Sequence, residues 1–544
     1  MIQNLSTNNK PSDIKPAQNI ILIEGEKQNI SKSKYQKKYP YAFHPIQKFI
    51  EQFRWKINLL LLIKPLSYSF LINHQYKLSY INKFNNFIYR LTLIDIIIYT
   101  ILSLSLTIQF FLDGETQGSV ATIWFAITWI LSMRNNFLFT ELFGLSFERV
   151  IQFHRTIGRF AIIMICLHFW SYRRESWFKG IVNFSGSIGL ILALLIGLTS
   201  LGIIRRKMFE IFYKFHWILF VSLTIACLIH GAGSIMFGVV GFIIDYLFRL
   251  YSIFYKPVSI KNVELLNGNV IKIKFDKKDF EYEAGQYVFI CIPSISLSEF
   301  HPFSISSSPY DNDCVQIHIR VLGDWTKKLQ TLVEKHQEVE LYDWKKLLCY
   351  MEGPYGQLQI QLEKYSELVM ISGGIGITPL QSIFNELLYN ISNNIDGNHL
   401  KKIHFIWVVR DPSMIHEFDD RHWSGIEHDN VTYCKKIDEQ HLELPKYFSP
   451  NLIIIAKNNG IEQQTEIITH FYITGVNDEQ KSEYIEKFPF LRFGRPDIQN
   501  ILKETNKSKH DVAVLCCGPN GMLQDVKKYA IKYDIDCHTE IFSF

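Results

Sequence analysis

Four histidines set the chemistry open to this sequence. His154 and His168 lie in FHRTIGRFAIIMICLHFW, and His216 and His230 in FHWILFVSLTIACLIHG, so each pair stands fourteen positions apart in a largely apolar run. Fourteen residues make about 3.9 helical turns, so the members of a pair share one helix face to within about 40° and lie about 21 Å apart along the axis. A single histidine in such a run usually bridges helices through a hydrogen bond. Two matched pairs on facing helices would instead bring His154 to His216 and His168 to His230, giving two bis-imidazole sites one above the other. That is the ligand set of two b-type haems, because each iron takes two axial nitrogens. Zinc would need further ligands nearby, and the sequence shows none. An iron saturated in this way favours electron transfer over binding of oxygen at the metal. Arg134, Arg155 and Arg159 fall at the His154 end, where they either pair with haem propionates or act as topology charges.

A wire of this kind needs a reductant, and residues further along fit one. In HPFSISSSP a turn set by Pro302 leads from His301 into a strand that presents Phe303 for ring stacking and Ser304 for a hydrogen bond to a heterocycle. In IHIRVLGDWTKKL, Arg320 ends a strand and Gly323 and Thr326 mark a helix start, which suits a pyrophosphate. SGGIGITP, with Gly373, Gly374, Gly376, Thr378 and Pro379, is a glycine turn between strand and helix whose amides can approach phosphate closely. Cys517, Gly518 and Pro519 end a second apolar strand and so face the same crevice. Arg410 and Arg495 suit the extra phosphate that distinguishes NADPH from NADH. Each motif taken alone also fits an ordinary strand, turn or surface charge.

These residues need a membrane part and a soluble part to position them. The chain has 544 residues, 48% of them hydrophobic, which allows both. Residues 1–44 read as a disordered cytosolic tail without a secretory signal, and 45–72 as a helix lying on the membrane surface, so 1–90 is taken as one N-terminal region. Apolar segments near 91–112, 118–137, 150–171, 184–204, 211–231 and 233–254 each approach the roughly 20 residues that cross a bilayer, which predicts a six-helix bundle over 91–255. The Lys and Arg between them place both termini in the cytosol, with Arg173, Arg174 and Lys179 as the exception. Short alternating runs predict an antiparallel β-barrel over 256–362, and strand–glycine–helix patterning predicts a Rossmann-like α/β domain over 363–544. The nine cysteines form no CxxC pair and read as reduced thiols. A net charge of +5, with basic residues grouped around the apolar segments, argues against nucleic acid as a partner.

The order of the motifs resembles the superfamily of NADPH oxidases and ferric reductases over roughly residues 118–544. RNNFLFTELFGLSFERVIQFHRTIGR with the two histidine spacings is similar to the ferric-reductase transmembrane domain, and GQYVFICIP, HPFSISSSP, IHIRVLGDWT, EGPYG, GGIGITP, WVVRD, FGRPD and CGP follow as in NADPH oxidases. The resemblance implies that Phe303 stacks on the flavin of FAD, that Ser304 lies near its reactive nitrogen, and that His301, Arg320 and Thr326 hold its phosphates. It also implies that Gly373, Gly374, Gly376, Thr378, Arg410, Arg495, Cys517, Gly518 and Pro519 receive NADPH. The terminal EIFSF matches the family's acidic-aromatic tail, with Phe542 or Phe544 as a ring near the flavin.

The implied reaction carries electrons from NADPH through FAD and two haems to an acceptor across the membrane. Oxygen, giving superoxide, is favoured by the cytosolic motifs. A ferric chelate is favoured by the short passage HGAGSIMFG after His230, which leaves the outer site little covered, and by the basic residues near Lys179. A membrane scaffold or proton pathway without electron transfer would predict lost ligands, and none is lost. Additional membrane or cytosolic subunits leave no mark on the sequence.

Overall fold

The apolar runs fold as helices because their backbone groups must be satisfied internally where water is absent. The computed structural model describes residues 19–24 and most of 93–540; the remainder, including 45–72, 416–430, 435–450 and 541–544, lies outside the described residues. The chain forms two compact units, one built on residues 46–256 and the other on the rest, apart from 355–357.

The first unit contains α1 (Leu93–Gln109), α2 (Gly114–Ile130), α3 (Phe147–Trp170), α4 (Gly180–Thr199), α5 (Phe209–Ile229) and α6 (Met236–Tyr255). Among the described residues four stretches are long and apolar enough to cross a membrane, in α3, α4 and α5 and over Gly233–Tyr251 into α6, whereas α1 and α2 have 17 residues each. Residues Gly202–Lys207 form a separate short helical turn between α4 and α5. The outer faces carry Ile163, Ile181, Leu194, Ile218 and Phe248, all at least 44% exposed, an arrangement suited to lipid and costly in water. The interior is packed by Val150, Phe153, Phe160 and Met164 of α3 against Ala121 and Leu131, and by Trp129 against Phe220 at 3.9 Å and Phe242 at 5.2 Å. Two ion pairs, Asp95–Arg149 at 2.5 Å and Asp245–Arg249 at 3.1 Å, satisfy charges among these helices.

The second unit contains two small three-stranded sheets. One has the order β2 (Ile260–Leu266), β3 (Val270–Asp276), β6 (Cys314–Arg320); the other β5 (His301–Ser304), β4 (Tyr287–Cys291), β7 (Tyr350–Tyr355). Single bridges at Ile305–Ile317 and Val258–Cys349 join them at both edges. The alternation reads directly from the pleat: Ile271, Ile273 and Phe275 point into the core with Ile317 and Ile319, while Lys272 and Lys274 point away. Helix α7 (Asp324–Gln337) closes the core with Trp325, Leu329 and Val333.

The mainly parallel sheet that follows contains β8 (Glu367–Gly373), β9 (Lys402–Val409), β12 (Ile461–Ile473), β14 (Val512–Cys517) and β15 (Asp536–Glu540), with α8 (Ile377–Ser392), α9 (Ile498–Thr505) and α10 (Asn520–Lys532) packed around it. Strands β8 and β14 are buried almost end to end, as a sheet covered on both faces requires. The tail expectation fails at Asn19–Glu24, which forms strand β1 in this sheet, parallel to β11 (Asn451–Asn458) and antiparallel to β10 (Val431–Cys434). The reason is local: NIILIE is a short β-prone apolar run inside a polar segment, and an average over the tail hides it.

Candidate functional site

The four histidines meet as the spacing predicted. Helices α3 and α5 bring the His154 and His216 ring centroids to 6.3 Å and those of His168 and His230 to 6.0 Å, with 70° between ring planes in both pairs. Two nitrogens that held one iron from opposite sides at about 2 Å each would lie about 4 Å apart, and adding the two ring radii gives close to the observed centroid separations. Nδ1 of His154 is 3.0 Å from the Thr128 carbonyl, Nδ1 of His168 is 2.9 Å from that of Gly114, and Nδ1 of His230 is 2.8 Å from that of Val182. A carbonyl can only accept, so Nδ1 carries the hydrogen in these three rings and Nε2 keeps its lone pair for a metal. His216 differs, with Nδ1 at 3.4 Å from the Ser200 hydroxyl. Among the described residues no group of three or more His, Cys, Asp or Glu could hold a metal, so the donor set is two imidazoles per site, which fits haem and not zinc.

In the sheet module, β5 pairs with β4 so that Ser304 opposes Tyr287 and Phe303 opposes Val288. Successive residues alternate sides: His301 and Phe303 both lie against Trp325, at 4.5 and 5.9 Å between centroids, while Ser304 is buried on the other side. Half-buried Phe303 thus has Trp325 behind it as a support. At the start of α7 the Leu322 and Gly323 amides donate to the Thr326 hydroxyl at 2.9 and 3.0 Å, so Thr326 caps its own turn. The exposed helix N-terminus here, with Gly323 and Thr326, can hold a phosphate.

The glycine loop and the Cys517–Pro519 loop lie side by side because β8 and β14 are parallel neighbours, with Ser372 opposite Cys517. They fit only without side chains: a Cβ at Gly376 would stand 2.6 Å from the Cys517 carbonyl oxygen, and one at Gly373 2.6 Å from Cδ of Pro519. Gly374 has φ +55° and its carbonyl accepts a hydrogen bond from the Trp407 indole at 3.0 Å. Cys517 is fully buried, and burial, followed by Glu540 and Cys516, pushes its thiol up in pKa. Thr378 is buried, with its hydroxyl on the Ile375 carbonyl at 3.1 Å. Pro379 follows in the first turn of α8. Arg410 follows β9 and Arg495 follows β13 (Leu491–Phe493); the register aligns Val409 and Phe493 with Ile473, so both exposed guanidinium groups leave the same carboxyl edge. Phe542 and Phe544 lie outside the described residues.

Sequence reasoning missed two things. Nη1 of Arg320 is 3.3 Å from where a Cβ of Gly374 would sit, which brings the β6 end to the glycine loop. It also missed the carbonyls behind the histidines, which no residue type announces. A cavity of about 610 Å³ beside α9, lined by residues including Glu367, His404, His470, Tyr472 and Arg492, contains none of the predicted site residues.

Comparison with known proteins agrees with this arrangement. Residues 117–227 match the family model for the ferric reductase like transmembrane component, 255–359 that for the FAD-binding domain, and 365–531 that for the ferric reductase NAD binding domain. One heavy chain of the superoxide-generating NADPH oxidase of Dictyostelium discoideum is 27% identical over 400 residues, covering 66% of this chain and 52% of that protein. Another heavy chain from the same organism is 28% identical over 377 residues, covering 65% and 68%. Dual oxidase 1 of Homo sapiens is 27% identical over 468 residues, covering 76% of this chain and 29% of that protein. The chain therefore spans about half the length of the first relative and under a third of the last. The chain thus carries, in this order, segments that match a ferric reductase like transmembrane component, an FAD-binding domain and a ferric reductase NAD binding domain.

Proposed function

We propose that this protein carries electrons from cytosolic NADPH across a membrane to oxygen, releasing superoxide on the far side. The observation that carries the reading is the pair of bis-histidine sites, 6.3 and 6.0 Å between ring centroids, set fourteen residues apart on two shared helices. NADPH would supply a hydride, and bound FAD and two b-type haems would supply the chemistry that passes its electrons on one at a time. His154 and His216 would hold the inner haem, and His168 and His230 the outer. Phe303 and Ser304 would place the flavin ring, and His301, Arg320, Gly323 and Thr326 its phosphates. The glycine loop, the Cys517–Pro519 loop, Arg410 and Arg495 would hold NADPH at the carboxyl edge of the sheet. None of these residues needs to act as nucleophile or general base; their work is to position and to tune. Helices α1 to α6 serve as six spans with both termini cytosolic, in keeping with Arg134, Arg155, Arg159 and Arg205 near the inner pair. The two small sheets, bridged at both edges, act as one barrel for FAD.

Oxygen as acceptor is supported by relatives described as superoxide-generating NADPH oxidases. A ferric chelate remains the second reading, favoured by the connection Gly231–Ile235, too short to cover the outer site. The test is to reduce the purified protein with NADPH without oxygen, then add oxygen or ferric chelate and time reoxidation of the haem bands. Fast reoxidation by oxygen is expected; fast reoxidation by chelate with slow reoxidation by oxygen would reverse the choice of acceptor.

A further inference from the structure

The two outer imidazoles rest on neighbouring helices in the same way. His168 donates to the Gly114 carbonyl of α2 and His230 to the Val182 carbonyl of α4. One turn on, four residues later in each helix, stands a glycine: Gly118 and Gly186. A Cβ at Gly118 would lie 2.7 Å from Cε1 of His168, and one at Gly186 would lie 2.6 Å from Cε1 of His230. At both glycines the three nearest atoms all belong to the imidazole, whereas Gly238 is met first by the Ala126 backbone oxygen at 2.5 Å, the usual sign of close helix packing. Among the described glycines none has His154 or His216 among its nearest atoms.

Glycine is a poor helix former, so two of them at matched positions need a reason. A free histidine side chain could swing away from an added methyl. One tied at Nδ1 to a carbonyl and at Nε2 to iron cannot, because both ends of the ring are already committed. We infer that Gly118 and Gly186 are positioning residues for the outer haem, setting the plane and depth of its two axial imidazoles through a carbonyl at one position and a missing side chain four residues later. The inference rests on the two-haem reading above.

The test uses the full-length protein with Gly118→Ala and Gly186→Ala, and Gly202→Ala as control because a Cβ there meets nothing within 4 Å. Haem per FAD, the ferric low-spin electron paramagnetic resonance spectrum and the midpoint potentials are measured. Two haems per FAD are expected for the unaltered protein and the control. Each seat variant should lose the outer haem or shift its resonance and potential, with the inner haem and FAD retained. Two haems with unchanged resonance and potentials in both seat variants would overturn the inference, whereas fewer than two in the unaltered protein would overturn the haem reading itself. Should Gly118→Ala fail to fold, Gly118→Ala combined with His168→Ala decides the matter. Folding like His168→Ala alone supports a clash confined to the ring, and renewed failure assigns Gly118 to backbone packing and sinks the proposal.

Discussion

The two histidine pairs, His154 with His216 and His168 with His230, are alike in how their rings face each other and unlike in what stands behind them. Ring separations of 6.3 and 6.0 Å and a common angle of 70° make them near copies. Behind the outer pair are two carbonyls and two glycines; behind the inner pair are one carbonyl and the more distant hydroxyl of Ser200. The lesson is that ligand identity decides which group is bound, while the supports decide how firmly each imidazole is held and how strongly it donates. Two sites with the same ligands can therefore differ in potential, which a directional wire requires.

The largest test of the comparison is removal of one ligand from each pair. His168→Leu should halve the haem content and bring external acceptor reduction to background while NADPH still reduces FAD; a variant that keeps two haems would break the assignment of pairs. Next comes the nucleotide loop, as a check that the pairs are independent of it. Gly376→Ala drives a Cβ into the Cys517 carbonyl, and overpacking of that kind costs about 1–3 kcal/mol, so the KM for NADPH should rise by between about fivefold and about a hundredfold with both haem spectra unchanged. A smaller effect sharpens the contrast in supports. Ser200→Ala removes the hydrogen-bond partner of His216, worth about 0.5–1.5 kcal/mol, or about 20–65 mV for a one-electron couple, and should raise the inner midpoint potential only. An equal shift in both haems would mean that the supports do not act separately.

The smallest effect is on pH. His318, buried beside Lys272 and Lys274, has its pKa held well below 6.5, by desolvation first and then by the two ammonium charges. Its neutral form is the folded one, so the unfolded chain takes up a proton that the folded chain refuses, and stability falls as pH drops below about 6.5. His318→Gln should flatten acid unfolding of the soluble module, followed by flavin release, and should leave the haem bands alone.

Much of this was legible in the sequence because the periods are strict. Histidines fourteen apart can only share a helix face, and Gly373, Gly376 and Gly518 mark loops where backbones touch. The supports were not legible: Thr128, Gly114 and Val182 contribute main-chain carbonyls, which every residue has. Nor was the approach of Arg320 to Gly374, which depends on how a barrel strand meets a glycine turn. Strand β1 escaped because six residues carry little weight in a polar tail.

That strand has a consequence for threading. Segments paired in one sheet share a compartment, and β1 precedes the first apolar helix while β11 follows the last. If the proposed spans cross a bilayer, the chain between them must return to the side it left, so their number must be even. On the proposed six spans, a seventh at 45–72 would place the two strands on opposite sides of the lipid and unmake the pairing.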